Sequence, residues 1–280
     1  MKIPKAAAIH DLSGMGRCSL TAAIPILSAM GVQVCPFPTA VLSNQTGFSK
    51  FEFVDMTDWM EPFGECWSPW YGRFDAVYSG FLASPRQAQI TRKIIDKLRG
   101  EETHVIVDTV LGDHGVRYPM FDEEMCLRVR ELAFDATVIT PNLTEACLLA
   151  GEPAEAAQDI QTRAELIQLA SYLASQGPGT VIITGIRDEN QVANLAYIKE
   201  DSRCFWESNH RIGYSYSGTG DILASILCGG LVRDFPLGET LRNACRFIGM
   251  ALEETAESGT DPREGILFEP FLADLIEMFS

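Results

Sequence analysis

Residues 6–37 read AAAIHDLSGMGRCSLTAAIPILSAMGVQVCPF, and this stretch decides the fold class. Ala6 to His10 is a short apolar run of strand length. Leu20 to Met30 places apolar residues at helical spacing and stops at Gly31, a residue suited to the left-handed turn that follows a helix. Val32 to Phe37 is apolar again. A strand, a helix and a second strand in this order form the repeating unit of a parallel sheet covered by helices.

The unit recurs along the chain. Phe74 to Ser79 predicts a strand and Pro85 to Leu98 a helix; His104 to Asp108 predicts a strand and Phe121 to Phe134 a helix. Thr137 to Thr140 and Thr180 to Thr184 are further strands. From Gln191 to Glu207 the rhythm breaks into an alternation around Val192, Leu195, Tyr197 and Ile198 that suits an antiparallel hairpin. Gly218 to Val232, Leu237 to Glu254 and Phe268 to Phe279 then follow as helical patterns. No Pro/Ser-rich linker or internal repeat divides the chain, so one domain over residues 1–280 is expected. Phe51 to Tyr71 carries Trp59, Trp67 and Trp70 and reads as a helical insertion or contact surface, or as a connection whose aromatic residues pack onto the core; the last is preferred.

The 280 residues are 46 % hydrophobic, ample for a buried core. A formal charge of -16 repels phosphate backbones and anionic membranes, which argues against nucleic-acid or membrane partners. Nucleotides remain accessible, because helix N-termini and metal ions bind phosphate irrespective of net charge. The eight cysteines form no CxxC pair and read as buried thiols of a reducing compartment. With no secretory leader or membrane-spanning run, a cytoplasmic location is expected.

Ser217-Gly218-Thr219-Gly220-Asp221 runs directly into Ile222-Leu223-Ala224-Ser225-Ile226-Leu227, so two glycines stand where a helix begins. The first turn of a helix leaves N–H groups unpaired, and glycines let an anion approach them, which suits a phosphoryl group in transfer. An Asp beside that site can accept the proton of an attacking hydroxyl. The alternative is an ordinary helix start capped by Ser217 or Thr219, with Asp221 favouring the dipole. No GxxxxGK[ST] loop is present, and Gly14-Met15-Gly16 followed by Ser19 fails the GxGxxG spacing.

With three other segments, this run resembles the pyridoxal/pyridoxamine kinase branch of the ribokinase-like superfamily, over most of the chain. In that superfamily the Gly-Thr-Gly-Asp run forms an anion hole and supplies the base, which implies these roles for Gly218, Thr219, Gly220 and Asp221. Ser43-Asn44-Gln45-Thr46-Gly47-Phe48 is similar to the segment lining the vitamin pocket, with Thr46 on the substrate-contacting Thr. Ser79-Gly80-Phe81 resembles the family's Ser-Gly-Tyr, with Phe81 replacing the Tyr near the pyridine ring. Asp108-Thr109-Val110-Leu111-Gly112-Asp113 resembles the phosphate-side stretch, where Asp108 and Asp113 match and Thr109 replaces proline. Thr140-Pro141-Asn142-Leu143-Thr144-Glu145 matches the family's Thr-Pro-Asn-x-x-Glu near the phosphates and magnesium-bound waters, and Thr184 corresponds to a Thr close to ATP. The chemistry agrees: Asp108, Asn142 and Glu145 follow apolar runs, ligands of open parallel sheets bind beyond the strand ends, and hard carboxylates there suit Mg²⁺. Residue types alone also allow Asn142 and Glu145 to be a helix cap.

Asp11 stands where better-known pyridoxal kinases have a Ser that bonds the pyridine nitrogen, which suggests that Asp11 pairs with the protonated ring; Asp11 or Ser13 capping the next helix is the alternative. His10, His104, His114 and His210 lie at no metal-ligand spacing and read as packing or surface residues, with His114 placed near the nucleotide by its neighbour Asp113. The resemblance implies a three-layer ribokinase-like sandwich with a mostly parallel sheet. It also implies transfer from MgATP to the 5′-hydroxymethyl of a B6 vitamer, a homodimer, and a response to K⁺. Open alternatives are another alcohol acceptor (hydroxymethylpyrimidine, sugar or nucleoside), an ATP-dependent dehydratase of hydrated nicotinamide nucleotides, and a non-catalytic sensor. Hydroxymethylpyrimidine kinases usually carry Cys where this chain has Asp221, which counts against that acceptor.

Overall fold

The computed structural model describes residues 3–188, 190–212 and 215–280; Met1, Lys2, Glu189, Gly213 and Tyr214 lie outside it. Strand β1 (Lys5–Ser13) leads through helix α1 (Ser19–Ala29) into the parallel strand β2 (Gln33–Leu42). The antiparallel edge strand β3 (Phe53–Asp55) and helix α2 (Thr57–Glu65) follow, and β4 (Phe74–Ser79) then pairs with the other side of β1. Next come α3 (Pro85–Leu98), β5 (Arg99–Val107), a separate ribbon of β6 (Gly112–Asp113) and β7 (Val116–Arg117), and α4 (Glu123–Phe134). β8 (Val138–Ile139), α5 (Leu143–Ala150), α6 (Arg163–Gln176) and β9 (Thr180–Asp188) continue the alternation. The expected hairpin is β10 (Gln191–Ile198) with β11 (Arg203–His210), followed by α7 (Thr219–Leu231), α8 (Leu237–Ser258) and α9 (Leu272–Met278).

Among the described residues the main sheet has nine strands in the order β11-β10-β9-β8-β5-β4-β1-β2-β3. From β9 to β2 every pairing is parallel, and both edges are antiparallel. Successive strand residues point to opposite faces, so β1 sends Ala6 and Ala8 to the core shared with α1, α7 and α8, and Ala7 and Ile9 to the core shared with α3 and α4. The chain leaves β1 for β2 on one side and later reaches β4 on the other. This reversal of strand order opens a crevice beyond the C-terminal ends of β1 and β4, the usual ligand position in an open α/β sheet. The β1–β2 register also shifts between His10 and Leu12, an irregularity of the kind that re-aims side chains beside a site.

Several details differ from the pattern read in the sequence, among them the strand expected from His104, which begins at Arg99. α4 begins at Glu123, because the Asp122 side chain accepts from the Met125 N–H (2.9 Å) and caps it there. The helix expected from Phe268 starts as a 3₁₀ turn at Glu269–Phe271 that contains Pro270, and only Leu272–Met278 is α-helical. Cys66 and Cys204 are exposed, although all eight cysteines are free thiols. The tryptophans divide: Trp67 stacks on Phe74 at 5.6 Å and meets Phe37 edge-on at 5.4 Å, whereas Trp59 and Trp70 are 65 % and 45 % exposed.

Candidate active site

The first turn of α7 is an uncapped helix start. Gly218 sits in the left-handed region (φ 78°), and no side chain caps the helix among the described residues, so neither Ser217 nor Thr219 plays that part. The Thr219 hydroxyl instead donates to the Tyr216 carbonyl (3.4 Å), and the Ser217 hydroxyl accepts from Gln45 (3.2 Å). The helical ladder begins with the Ile222 N–H on the Gly218 carbonyl (3.0 Å), which leaves the N–H groups of Thr219, Gly220 and Asp221 without intrahelical acceptors. A methyl group on Gly220 would meet nothing within 4 Å, so this turn forms an open floor.

Above that floor lies a cleft of about 650 Å³. Its wall contains Asp11, Ser13, Thr46 and Phe81 from the ends of β1, β2 and β4 and the turns after them, Asp108, Asp113, Thr140 and Asn142 from the segments that follow β5 and β8, Glu145 from the first turn of α5, and Thr184 from the middle of β9. Gly218, Thr219, Gly220 and Asp221 complete it. Every site residue predicted from sequence therefore lines one cleft. A second lobe of about 280 Å³ shares Asp113, Asn142, Thr184, Thr219 and Gly220 with the first. It extends between Val192, Leu223, Ile248 and Leu252, with Asn194 and Asn209 as polar groups. His114 lies in this lobe, at φ 55°, with its Nε2 3.2 Å from an Arg187 nitrogen.

The acidic wall is crowded. Asp108 accepts from the Thr140 hydroxyl (2.9 Å), yet burial and then the charge of Asp221 push its carboxyl up to about 7. Glu145 is buried and is raised well above the usual carboxylate range by burial and by the charge of Asp108. Its Oε2 accepts from the Asn142 N–H (2.8 Å) and its Oε1 from the Leu111 N–H (3.0 Å). Asn142 Oδ1 accepts from the Glu145 N–H (3.0 Å), so the pair is a capping box of α5, as the residue types alone allowed. Asn142 Nδ2 also donates to the Gly112 carbonyl (2.7 Å), which ties the ribbon to α5. The capping role and a place in the cleft wall thus coexist in the same two residues.

At the opposite wall Asp221 is held from two sides. His10 Nε2 lies 2.9 Å from Asp221 Oδ1, and the Ser19 N–H donates to Oδ2 (2.8 Å). Ser19 has φ 51°, an unfavourable backbone for a residue with a side chain, and it opens α1 in the position that reaches Asp221. His10 Nδ1 lies 2.9 Å from Asp11 Oδ1, and the Ser13 hydroxyl donates to Asp11 Oδ2 (2.9 Å). Burial raises the Asp11 carboxyl, but the bonds and charge of His10, with Ser19 and Ser13, hold it below the usual range. Neither Asp11 nor Ser13 caps α1, whose N-cap is Cys18. His10, read from sequence as a packing or surface residue, lines the cleft, as do Gln45, Tyr118 and Met120. Its only local signal is its place beside Asp11, because the partner Asp221 is 211 residues away.

The chain is similar to known proteins over most of its length. The sequence profile of the phosphomethylpyrimidine kinase family matches residues 20–264. A pyridoxal kinase of Rubrobacter xylanophilus is 24 % identical over 90 % of this chain and 87 % of its own length. A Bacteroides thetaiotaomicron crystal structure, provisionally named a phosphomethylpyrimidine kinase and solved with pyridoxal, is 43 % identical with a TM-score of 0.92, covering 98 % of this chain and 96 % of that one. Pyridoxal kinase from Lactobacillus plantarum is 29 % identical with a TM-score of 0.88, covering 99 % and 98 %. With this profile match and the mostly parallel sandwich of the ribokinase-like fold, the chain belongs to the phosphomethylpyrimidine kinase family.

Proposed function

We propose that this chain, as a single domain over residues 1–280, transfers the γ-phosphoryl group of ATP to the 5′-hydroxymethyl group of a B6 vitamer. The observation that carries the reading is the meeting of the Asp221 carboxylate and the unpaired N–H groups of the α7 first turn in one cleft. The substrate hydroxyl approaches Asp221, which takes its proton as the new P–O bond forms and the bond from the γ-phosphorus to the β,γ-bridging oxygen breaks, with ADP leaving. The N–H groups of the helix start, with the dipole behind them, stabilise the equatorial phosphoryl oxygens. Pyridoxal kinases among the relatives, and the Bacteroides structure with pyridoxal, support a vitamer as acceptor.

The reactants occupy the two lobes. The apolar slot between Val192, Leu223, Ile248 and Leu252 receives the nucleotide base, and the phosphates run past Thr184 and Asn142 to Thr219 and Gly220. The vitamer ring lies between Thr46 and Phe81, with the Asp11 carboxylate, steadied by Ser13, toward a protonated ring nitrogen. A magnesium ion fits the acidic wall. The charge of Asp108 disfavours ionisation of Glu145, a penalty that a cation relieves, and Mg²⁺ needs only one or two carboxylates beside phosphate oxygens and water. When bound it neutralises charge developing on the transferred group. The resemblance extends the proposal to a K⁺ response, a homodimer and a cytoplasmic location.

A panel of pyridoxal, pyridoxamine, pyridoxine, hydroxymethylpyrimidine, ribose and adenosine with MgATP, read by ADP release and by phosphorylated product, tests the acceptor. Product from a vitamer is expected. Product only from hydroxymethylpyrimidine, the acceptor suggested by the family's name, overturns the vitamer reading but leaves the reaction type intact.

A further inference from the structure

We propose that His10 is the positioning residue of phosphoryl transfer: a buried imidazolium that bridges Asp11 and Asp221 and fixes the direction of the Asp221 carboxylate. The proposal rests on Asp221 as the base. His10 is 1 % exposed, and its two ring nitrogens each lie 2.9 Å from a carboxylate oxygen, Nδ1 from Asp11 and Nε2 from Asp221. A carboxylate oxygen only accepts, so both nitrogens must carry a proton. The Asp11 backbone N–H is directed at Nδ1 (2.9 Å), a bond that a bare Nδ1 would accept; the Asp11 Oδ1 at the same distance decides for the proton, because Nδ1 and Oδ1 cannot stand that close as two bare acceptors. The Phe81 N–H is 3.3 and 3.5 Å from the two nitrogens, nearly equidistant, and so is aimed along neither lone pair.

The ring's seat is built for it. A methyl group on Gly80 would stand 2.0 Å from His10 Cδ2 and Nε2, so the glycine after β4 is what admits the imidazole. Tyr78 closes another side edge-on at 6.0 Å. The ionisable groups around the ring are Asp11 and Asp221 in contact, with Asp108, Tyr78 and Cys18 also facing the Asp221 charge. Burial alone would discharge the imidazole; the Asp221 charge and the bonds to Asp11 and Asp221 reverse this and raise it to about 10. With Ser19 holding Oδ2, both oxygens of Asp221 are engaged and the plane of the carboxylate is fixed, so the lone pairs left for the substrate hydroxyl keep set directions.

The mechanism predicts different fates for three substitutions. Gln carries an amide nitrogen at the reach of Nε2 and can still hold Asp221. Asn carries one at the reach of Nδ1 and can hold only Asp11. Phe fills the seat with no donor. Expected values of kcat, measured with the acceptor identified by the panel, are a loss of about 100-fold in His10→Phe and His10→Asn and a recovery of at least about 10-fold in His10→Gln, while the KM for ATP changes by less than about 3-fold. A folded His10→Phe protein with kcat within about 3-fold of the parent overturns the proposal, as does a His10→Gln protein no better than His10→Asn. Should the variants fail to fold, ¹⁵N NMR of the parent protein decides: two protonated ring nitrogens on His10 at pH 8 support the bridge, and one protonated nitrogen overturns it. Asp221→Asn separates the two readings. An active Asp221→Asn protein refutes the base itself, whereas an inactive one beside a fully active His10→Phe refutes only the role of His10.

Discussion

A methyl group on Gly218 would lie 1.9 Å from the carbonyl oxygen of Arg17, so the start of α7 and the loop before α1 are in backbone contact. Gly218 also has φ 78°, and an alanine there would meet both obstacles. Gly218→Ala is therefore expected to lose at least about 2 kcal/mol of stability and about 100-fold in turnover. Gly220→Ala, with nothing within 4 Å of the new carbon, keeps the parent's stability while the methyl intrudes on the phosphoryl seat. Urea denaturation with steady-state rates separates the two; equal stability loss in both variants would contradict this account.

Asp11 offers a test of how the acceptor is held. Asp11→Asn is expected to lower kcat/KM about 10-fold or more for pyridoxal and pyridoxine, and to have a smaller effect on a deaza analogue whose ring lacks the nitrogen. The comparison between substrates matters, because the substitution also disturbs His10 and so slows every acceptor. An identical fall for all three removes Asp11 from ring recognition.

Asp108 predicts an unusual pH dependence in metal-free, nucleotide-free protein. Its carboxyl titrates at about 7 in the folded chain against 3.8 ordinarily, so between these values the folded state binds the extra proton. Stability consequently falls as pH rises from 4 to 7 and levels off above that. Because the carboxylate faces an open cleft and keeps part of its hydration, Asp108→Asn should be about 1–2 kcal/mol more stable than the parent at pH 8 and no more stable at pH 4. Denaturant midpoints at the two pH values check this, and a variant less stable at pH 8 would show that desolvation does not govern the site.

The aromatic segment between β3 and β4 predicts a contrast. Trp67, stacked on Phe74, should lose about 2–4 kcal/mol on substitution by Ala, whereas Trp59→Ala should stay within about 0.5 kcal/mol. Thermal unfolding of the two variants measures it; equal effects would mean that Trp59 is covered in solution.

Much of this was legible in the sequence, for physical reasons. Val181-Ile182-Ile183 reads as a strand because a strand buried on both faces needs an unbroken apolar run, and Gly218-Thr219-Gly220-Asp221 reads as an anion site because few other uses demand two glycines at a helix start. β3 spans only Phe53–Asp55 and the ribbon strands two residues each, too short for a period to show. Trp59 and Trp67 are eight positions apart in the same composition, and only the tertiary fold assigns one to the core. His10 was missed because its meaning comes from Asp221 and from the space left by Gly80, neither of which is near it in sequence.

The two lobes of the cleft share lining residues at Thr184, Thr219 and Gly220. A single molecule can thus occupy both. An adenosine joined to a pyridine alcohol through a phosphate chain of suitable length would lose its translational freedom once on binding, where two separate ligands lose it twice. The shape of the enzyme therefore makes it a target for bisubstrate inhibitors, whose best linker length would serve as a ruler for the distance between the reacting oxygen and the nucleotide.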